Sequence, residues 1–246
     1  MDKKVALITG ASGGIGSEIA RELARNGYDL MLCYYTNPAD LVLIECQNLG
    51  ATCFSVKCNL ADEDDIQYLV EYTLDHFGRI DLLVNNAGIS IDSLFQDKTV
   101  KDFRHTLDVN LVGTFLLSKL VGAVMMDQKS GKIINITSTN GINTYFPMCV
   151  DYDASKAGLI SLTHNLAVQF SPYVNVNAVA AGFIATPHEI EQMDDDFIKS
   201  EVSKIFVRRV GTAKDVAYLV AFLASPKADF INNEIIRIDG GQYGTY

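Results

Sequence analysis

Tyr152 and Lys156 stand four residues apart in Tyr152-Asp153-Ala154-Ser155-Lys156, so on a helix the phenol and the ammonium share one face, about one turn from each other. A phenol ordinarily keeps its proton up to a pH of about 10, and a nearby cation favours the phenolate and brings the group toward useful acidity. The pair can therefore exchange a proton with an oxygen. Ser138 closes the apolar run Ile133-Ile134-Asn135-Ile136-Thr137-Ser138, where its hydroxyl can hydrogen-bond a carbonyl oxygen or merely cap a turn. Asn85-Asn86-Ala87-Gly88 ends another such run and reads as part of the same edge or as a polar turn. Tyr145 competes for the same task, but Cys149 and not a lysine follows four residues later. Tyr152 is the better assignment.

A second constellation lies near the start. Thr9-Gly10-Ala11-Ser12-Gly13-Gly14-Ile15-Gly16 follows a short apolar run and opens a helical pattern. A helix N-terminus offers unpaired N–H groups and a positive dipole end, and glycines let a pyrophosphate approach the backbone. A dinucleotide whose ribose carries a free 2′-hydroxyl is usually met by an acid about twenty residues on. Here that stretch reads Cys33-Tyr34-Tyr35-Thr36-Asn37, without a carboxylate and without Arg or Lys. The expectation is NADP in preference to NAD, with Thr36 and Asn37 hydrogen-bonding the 2′-phosphate.

These residues need a scaffold that brings strand ends together. Short β-branched runs alternate with helical patterns along the whole chain, the signature of βαβ units and a parallel sheet. Strands are expected at Val5–Thr9, Leu30–Cys33, Cys53–Val56, Ile80–Val84, Lys132–Ile136, Val174–Val179 and Glu234–Ile238. Helices are expected after Gly14, from Pro38 to about Leu49, from Asp62 to Phe77, from Thr99 to Met126 and from Tyr152 to Phe170. The fold class is α/β: one Rossmann-type doubly wound domain over residues 1–246, a seven-stranded parallel sheet with helices on both faces. Residues 184–209 break the pattern, include the acidic run Asp194-Asp195-Asp196, and are expected to form a substrate lid.

Composition excludes several classes. Thirty acidic against twenty basic residues give a net charge of −10, which offers nucleic acid no footprint. No apolar stretch is expected to approach the ~18 residues of a membrane span, and a cytoplasmic protein is expected. The five cysteines are odd in number and lack a CxxC pair, so free thiols are expected. The four histidines show no ligand spacing and no metal site is expected.

Taken in order, Thr9-Gly10 with Gly14 and Gly16, Asn85–Gly88, Asn110, Ser138, Tyr152, Lys156 and Asp239-Gly240-Gly241 resemble the short-chain dehydrogenase/reductase family over essentially the whole chain. The resemblance implies hydride transfer between a nicotinamide and a carbonyl carbon while Tyr152 exchanges the proton. Ser138 would orient the oxygen, Lys156 would hold the nicotinamide ribose and lower the Tyr152 pKa, and Asn110 would support a water-linked relay. It further implies cofactor contacts from Gly10, Ser12, Gly13, Gly14, Ile15 and Gly16 at the turn, and from Thr36 and Asn37. Asn59 and Leu60 would lie beside the adenine, Asn86, Ala87 and Gly88 along the cofactor, and Gly182, Ile184 and Thr186 past the sixth strand, beside Tyr152 and Lys156. Asn59-Leu60, Ala181-Gly182 and Gly13 depart from the family's usual residues.

Asn-Ala-Gly-Ile, Ser-Lys-Ala-Gly-Leu and Phe-Leu-Ala-Ser-Pro are similar to fragments of the family's β-ketoacyl-acyl-carrier-protein reductases. That likeness implies a carbonyl carried on acyl carrier protein, with Lys129 and Lys132 as the basic docking patch, and a homotetramer paired through the two long helices and the last strand. A dehydrogenase of small alcohols, sugars or polyols uses the same residues, and a non-catalytic dinucleotide-binding protein is the other class.

Overall fold

The computed structural model describes residues 3–143 and 145–243. Strands and helices alternate: β1 (Val5–Thr9), α1 (Gly14–Arg25), β2 (Asp29–Tyr34), α2 (Asp40–Asn48), β3 (Cys53–Lys57), α3 (Glu63–Phe77), β4 (Leu82–Asn85), α4 (Val100–Leu107), α5 (Gly113–Gln128), β5 (Gly131–Ser138), α6 (Val150–Gln169) and β6 (Val174–Ala181). The short helices α7 (Pro187–Gln192) and α8 (Asp195–Ser203) follow, then α9 (Ala213–Ala224) and β7 (Ile235–Ile238). The sheet order is β3-β2-β1-β4-β5-β6-β7 with every pairing parallel. Strand order reverses between β1 and β4, and a crevice opens there at the carboxyl edge, where α/β sheets of this kind bind ligands.

All five residues of β1 and all four of β4 are buried, because helices cover both sheet faces and central strands need no polar alternation. On one face Ala6, Ile8, Leu30 and Leu32 meet Ile19 and Leu23 of α1 and Val216 and Val220 of α9. On the other, Leu7, Met31, Leu83 and Ile133 meet Leu69 of α3, Leu117 and Val121 of α5 and Leu166 of α6. Truncating a fully buried leucine such as Leu83 to alanine would cost about 2–5 kcal/mol.

Several boundaries differ from the sequence pattern for local reasons. Ile80 precedes β4 because its backbone N–H and carbonyl bind the Gln128 side chain, at 3.0 and 2.7 Å. Pro38 lies outside α2, whose N-cap is Ala39. β5 and β6 run on together to the pair Ser138–Ala181. Asp62 caps α3 and Asp194 caps α8, each accepting two backbone N–H bonds, which is what an acidic helix start does best.

The helix expected from Thr99 to Met126 is one run interrupted by a π turn at Asp108–Val112, a distortion that concentrates at functional positions. Gly113 follows it because a Cβ there would lie 2.0 Å from the Leu60 carbonyl oxygen. The whole run, Val100–Gln128, contains an 18-residue window of mean hydropathy 1.7, apolar enough by length and composition to cross a membrane. The expectation that no stretch approaches such a span is corrected on that count. The reason is burial, since this helix packs on α3, α6 and the sheet and supplies part of the core.

Candidate active site

The glycine turn between β1 and α1 is built around Gly10 and Gly16. A Cβ on Gly16 would stand 2.1 Å from the Gly10 carbonyl oxygen and 2.5 Å from Asn86 Nδ2, so no other residue fits. Asn86 Nδ2 donates to the Thr9 and Gly10 carbonyls at 2.9 and 3.1 Å, and the Asn86 and Ala87 N–H groups donate to Thr9 Oγ1 at 3.0 Å each. The ends of β1 and β4 are thus sewn together at the switch point. Gly13 and Gly14 have nothing within 4 Å of where a Cβ would lie, leaving backbone open to a ligand at the start of α1. A cavity of about 290 Å³ lies against this turn, bounded by Gly10, Gly13, Gly14, Ile15, Asn86, Ala87, Gly88, Ile184 and Thr186. A bare backbone cradle at a helix N-terminus fits a pyrophosphate.

Adjoining it is a cleft of about 690 Å³ bounded by Ser138, Tyr152, Lys156, Gly88, Ile89, Ser90, Phe146, Gly182, Phe183 and Ile184, among others. Ser138 arrives as the last residue of β5, and Tyr152 and Lys156 project from one face of α6. The Ser138 hydroxyl donates to the Ala181 carbonyl at 3.4 Å and accepts from the Asn140 N–H at 3.2 Å, and it lines the same cleft as the Tyr152 phenol. Burial pushes that phenol up to about 12, and the Ser138 hydroxyl pulls the other way. Lys156 is buried, donates to the Ile136 carbonyl at 2.8 Å and holds its Nζ 5.4 Å from the Tyr152 ring centroid. Burial pushes its ammonium down to about 8. The cation thus faces the ring, but the phenol is pushed up, chiefly by burial, and the lowering expected from Lys156 is not among the causes of its shift.

Asn110 sits in the π turn and is buried. Its Oδ1 accepts from the Ile89 N–H at 2.8 Å, and its Nδ2 donates to the Ile89 carbonyl and Ser155 Oγ at 2.9 and 3.0 Å. Gly88 lies between Asn110 and Lys156, each 3.4 Å from where its Cβ would be. Cys149 also lines the cleft, but burial and the neighbouring Asp153 push its thiol up to about 12. It is therefore no nucleophile. Tyr145 stands in a loop, mostly exposed, beside a neighbouring apolar pocket and outside the cleft.

Not every expected residue lines these cavities. Ser12 lies in the turn beside the first cavity, while Thr36 and Asn37 follow β2 on the exposed carboxyl edge. Asn59 folds its side chain back onto the Ala61 N–H, and Leu60 is part of the apolar core. Three features had escaped the sequence. Glu189 lines both cavities. Lys57, at the end of β3, holds its Nζ 5.6 Å from the Tyr35 ring centroid, so a cation does stand at the end of β2, supplied by the neighbouring strand. Lys98 and Asp151 form a buried ion pair beside the cleft.

Of the two lysines expected to form the docking patch, the structure changes the reading of Lys132. Lys132 is spent internally, on the Leu223 and Ser225 carbonyls at 3.1 and 2.7 Å and on Asp229 at 2.7 Å, because the last turn of α9 ends beside β5 with carbonyls to satisfy. It also stands at the amino end of β5, about 20 Å from Ser138 at the other end.

A family model described as enoyl-(acyl carrier protein) reductase matches residues 10–242. A 3-oxoacyl-[acyl-carrier-protein] reductase of Synechocystis sp. is 40% identical over 243 residues, 97% of this chain and 96% of that protein. An acetoacetyl-CoA reductase of Acinetobacter sp. is 35% identical over 98% of each. A solved 7α-hydroxysteroid dehydrogenase, complexed with NADH and 7-oxo glycochenodeoxycholic acid, is 32% identical, covers 98% of this chain and 95% of its own, and has a TM-score of 0.92. With the parallel sheet, the open glycine cradle and the serine, tyrosine and lysine in one cleft, these matches settle the class: the chain is a nicotinamide-dependent oxidoreductase and belongs to the short-chain dehydrogenase/reductase family.

Proposed function

We propose that the protein reduces 3-oxoacyl groups carried as thioesters on acyl carrier protein, using NADPH, with Ser138, Tyr152, Lys156 and Asn110 as its site. The observation that carries this reading is the meeting of Ser138, Tyr152 and Lys156 in one cleft next to the glycine cradle, in a chain similar over nearly its whole length to several proteins named as 3-oxoacyl-[acyl-carrier-protein] or acetoacetyl-CoA reductases.

When bound, the nicotinamide supplies the hydride to the carbonyl carbon. The rest falls to the chain. The cradle at Gly13 and Gly14 and the Asn86–Gly88 edge hold the dinucleotide along the switch point. Ser138 donates a hydrogen bond to the substrate oxygen, and Tyr152, protonated throughout the neutral range, gives that oxygen its proton as negative charge develops. Lys156 holds the ribose and, while protonated, stabilises the phenolate left behind. Asn110 fixes the wall at Ile89 and keeps the ground behind Lys156 polar.

NADPH is favoured by the missing carboxylate after β2 and by Lys57 over Tyr35, since a positive charge there attracts a 2′-phosphate. We read the chain as one domain with residues 184–209 as its lid, as a homotetramer, and as a cytoplasmic enzyme. A second reading, oxidation or reduction of a larger apolar alcohol or ketone, is favoured by a pocket of about 430 Å³ beside the cleft, walled by Tyr145, Phe146, Phe183 and Phe197. Following the oxidation of NADPH and NADH against acetoacetyl thioesters and a panel of bulky apolar and cyclic ketones separates the two. Turnover of ketones with none of any 3-oxoacyl thioester would sink the first reading.

A further inference from the structure

The segment after β4 walls the cleft with Gly88, Ile89, Ser90 and Asp92. It is fastened at two places. Asn110 grips both backbone groups of Ile89. Farther on, Lys98 turns inward with its side chain only 5% exposed, donates to the Ile91 carbonyl, and pairs at 3.0 Å with Asp151, whose side chain is 0% exposed. Asp151 also accepts from Thr106 Oγ1 at 2.8 Å, and it immediately precedes Tyr152 in the first turn of α6. The Ser93 N–H donates to the Met148 carbonyl at 3.0 Å, so the same wall also meets the approach to α6.

A buried ion pair is a poor source of net stability, because the desolvation of two charges offsets their attraction and an apolar pair of similar volume does as well. What it supplies is a fixed distance and direction, here between the wall and the helical turn bearing the proton donor. We propose that Lys98 and Asp151 are positioning residues: their ion pair sets the spacing between the wall at 89–92 and the Tyr152 hydroxyl, and with it the presentation of the substrate carbonyl. The proposal rests on the carbonyl-reductase reading of the cleft.

The test compares Lys98→Met, Asp151→Asn and the double variant in melting temperature, NADPH affinity and steady-state kinetics on whichever carbonyl substrate the wild type turns over best. Each single variant strands a buried polar partner and melts lower. The double variant, with no buried charge, recovers the wild-type melting temperature, yet its kcat/KM stays about tenfold or more below wild type because misplacement at a reacting centre is costly, while its NADPH affinity is unchanged. Recovery of kcat/KM along with stability would make the pair merely structural and overturn the proposal. So would a double variant as unstable as the singles, or a loss that follows NADPH affinity. A wild-type protein inactive on every carbonyl would overturn the site reading and this inference with it.

Discussion

Replacing Lys156 with methionine keeps most of the length of the side chain and removes its charge, and the ligand-free protein should register the change as a pH-dependent gain in stability. Lys156 is 3% exposed, and burial lowers its pKa from 10.5 to about 8. The folded value lies below the unfolded one, so between these limits the unfolded chain binds the extra proton and stability rises with pH. The cost of the buried cation is fully present below about pH 8 and absent above about pH 10.5. At about 1.4 kcal/mol per pH unit, a fall from 10.5 to about 8 corresponds to about 3 kcal/mol. Urea unfolding of wild type and Lys156→Met without cofactor, at about pH 7 and about pH 10, gives the difference directly; other titrating groups are common to both proteins and cancel. The stability of Lys156→Met relative to wild type should fall by roughly 2–3 kcal/mol between the two pH values, since part of the cost persists at about pH 10. A difference that does not change with pH would refute the buried, proton-losing lysine.

Gly16→Ala should abolish cofactor binding and lower the melting temperature, since its Cβ would lie 2.1 Å from the Gly10 carbonyl oxygen; calorimetry and a cofactor titration check it, and near-normal affinity would contradict the tight turn. Thr36→Asp should move the NADPH-to-NADH ratio of kcat/KM toward NADH by about tenfold or more, because a carboxylate there repels a 2′-phosphate and accepts from a ribose hydroxyl; an unchanged ratio would place the 2′ position elsewhere. Lys132→Ala should cost about 1–2 kcal/mol by removing the cation that bonds the Leu223 and Ser225 carbonyls and pairs with Asp229, with no effect on the KM for an acyl-carrier-protein substrate. A raised KM at unchanged stability would restore Lys132 to a docking surface.

What could be read in one dimension was whatever depends on local spacing. The alternation of β1, α1 and β2, the glycine turn, and the Tyr152–Lys156 face of α6 all follow from short-range periodicity, and the structure places them accordingly. What escaped depends on contacts between residues distant in the chain. Nothing in the residues around Lys98 marks it as buried, and only the packing of α4 against α6 sets it on Asp151. Lys57 is silent as a strand end until the register sets it beside Tyr34 and over Tyr35. Lys132 misled in the opposite sense, because nothing local announces that α9 will end beside it. The π turn at Asn110 has no distinct periodicity, being one extra residue within a helix that still buries the same side.

The most direct test of the central claim is the initial rate of NADPH oxidation with acetoacetyl-acyl carrier protein by wild type and by Tyr152→Phe, with NADPH affinity measured on both. The account expects turnover by the wild type, a loss of about 100-fold or more in the variant, and the same affinity in each. A Tyr152→Phe protein that reduces the thioester at near wild-type rate would contradict the assignment of the proton to Tyr152.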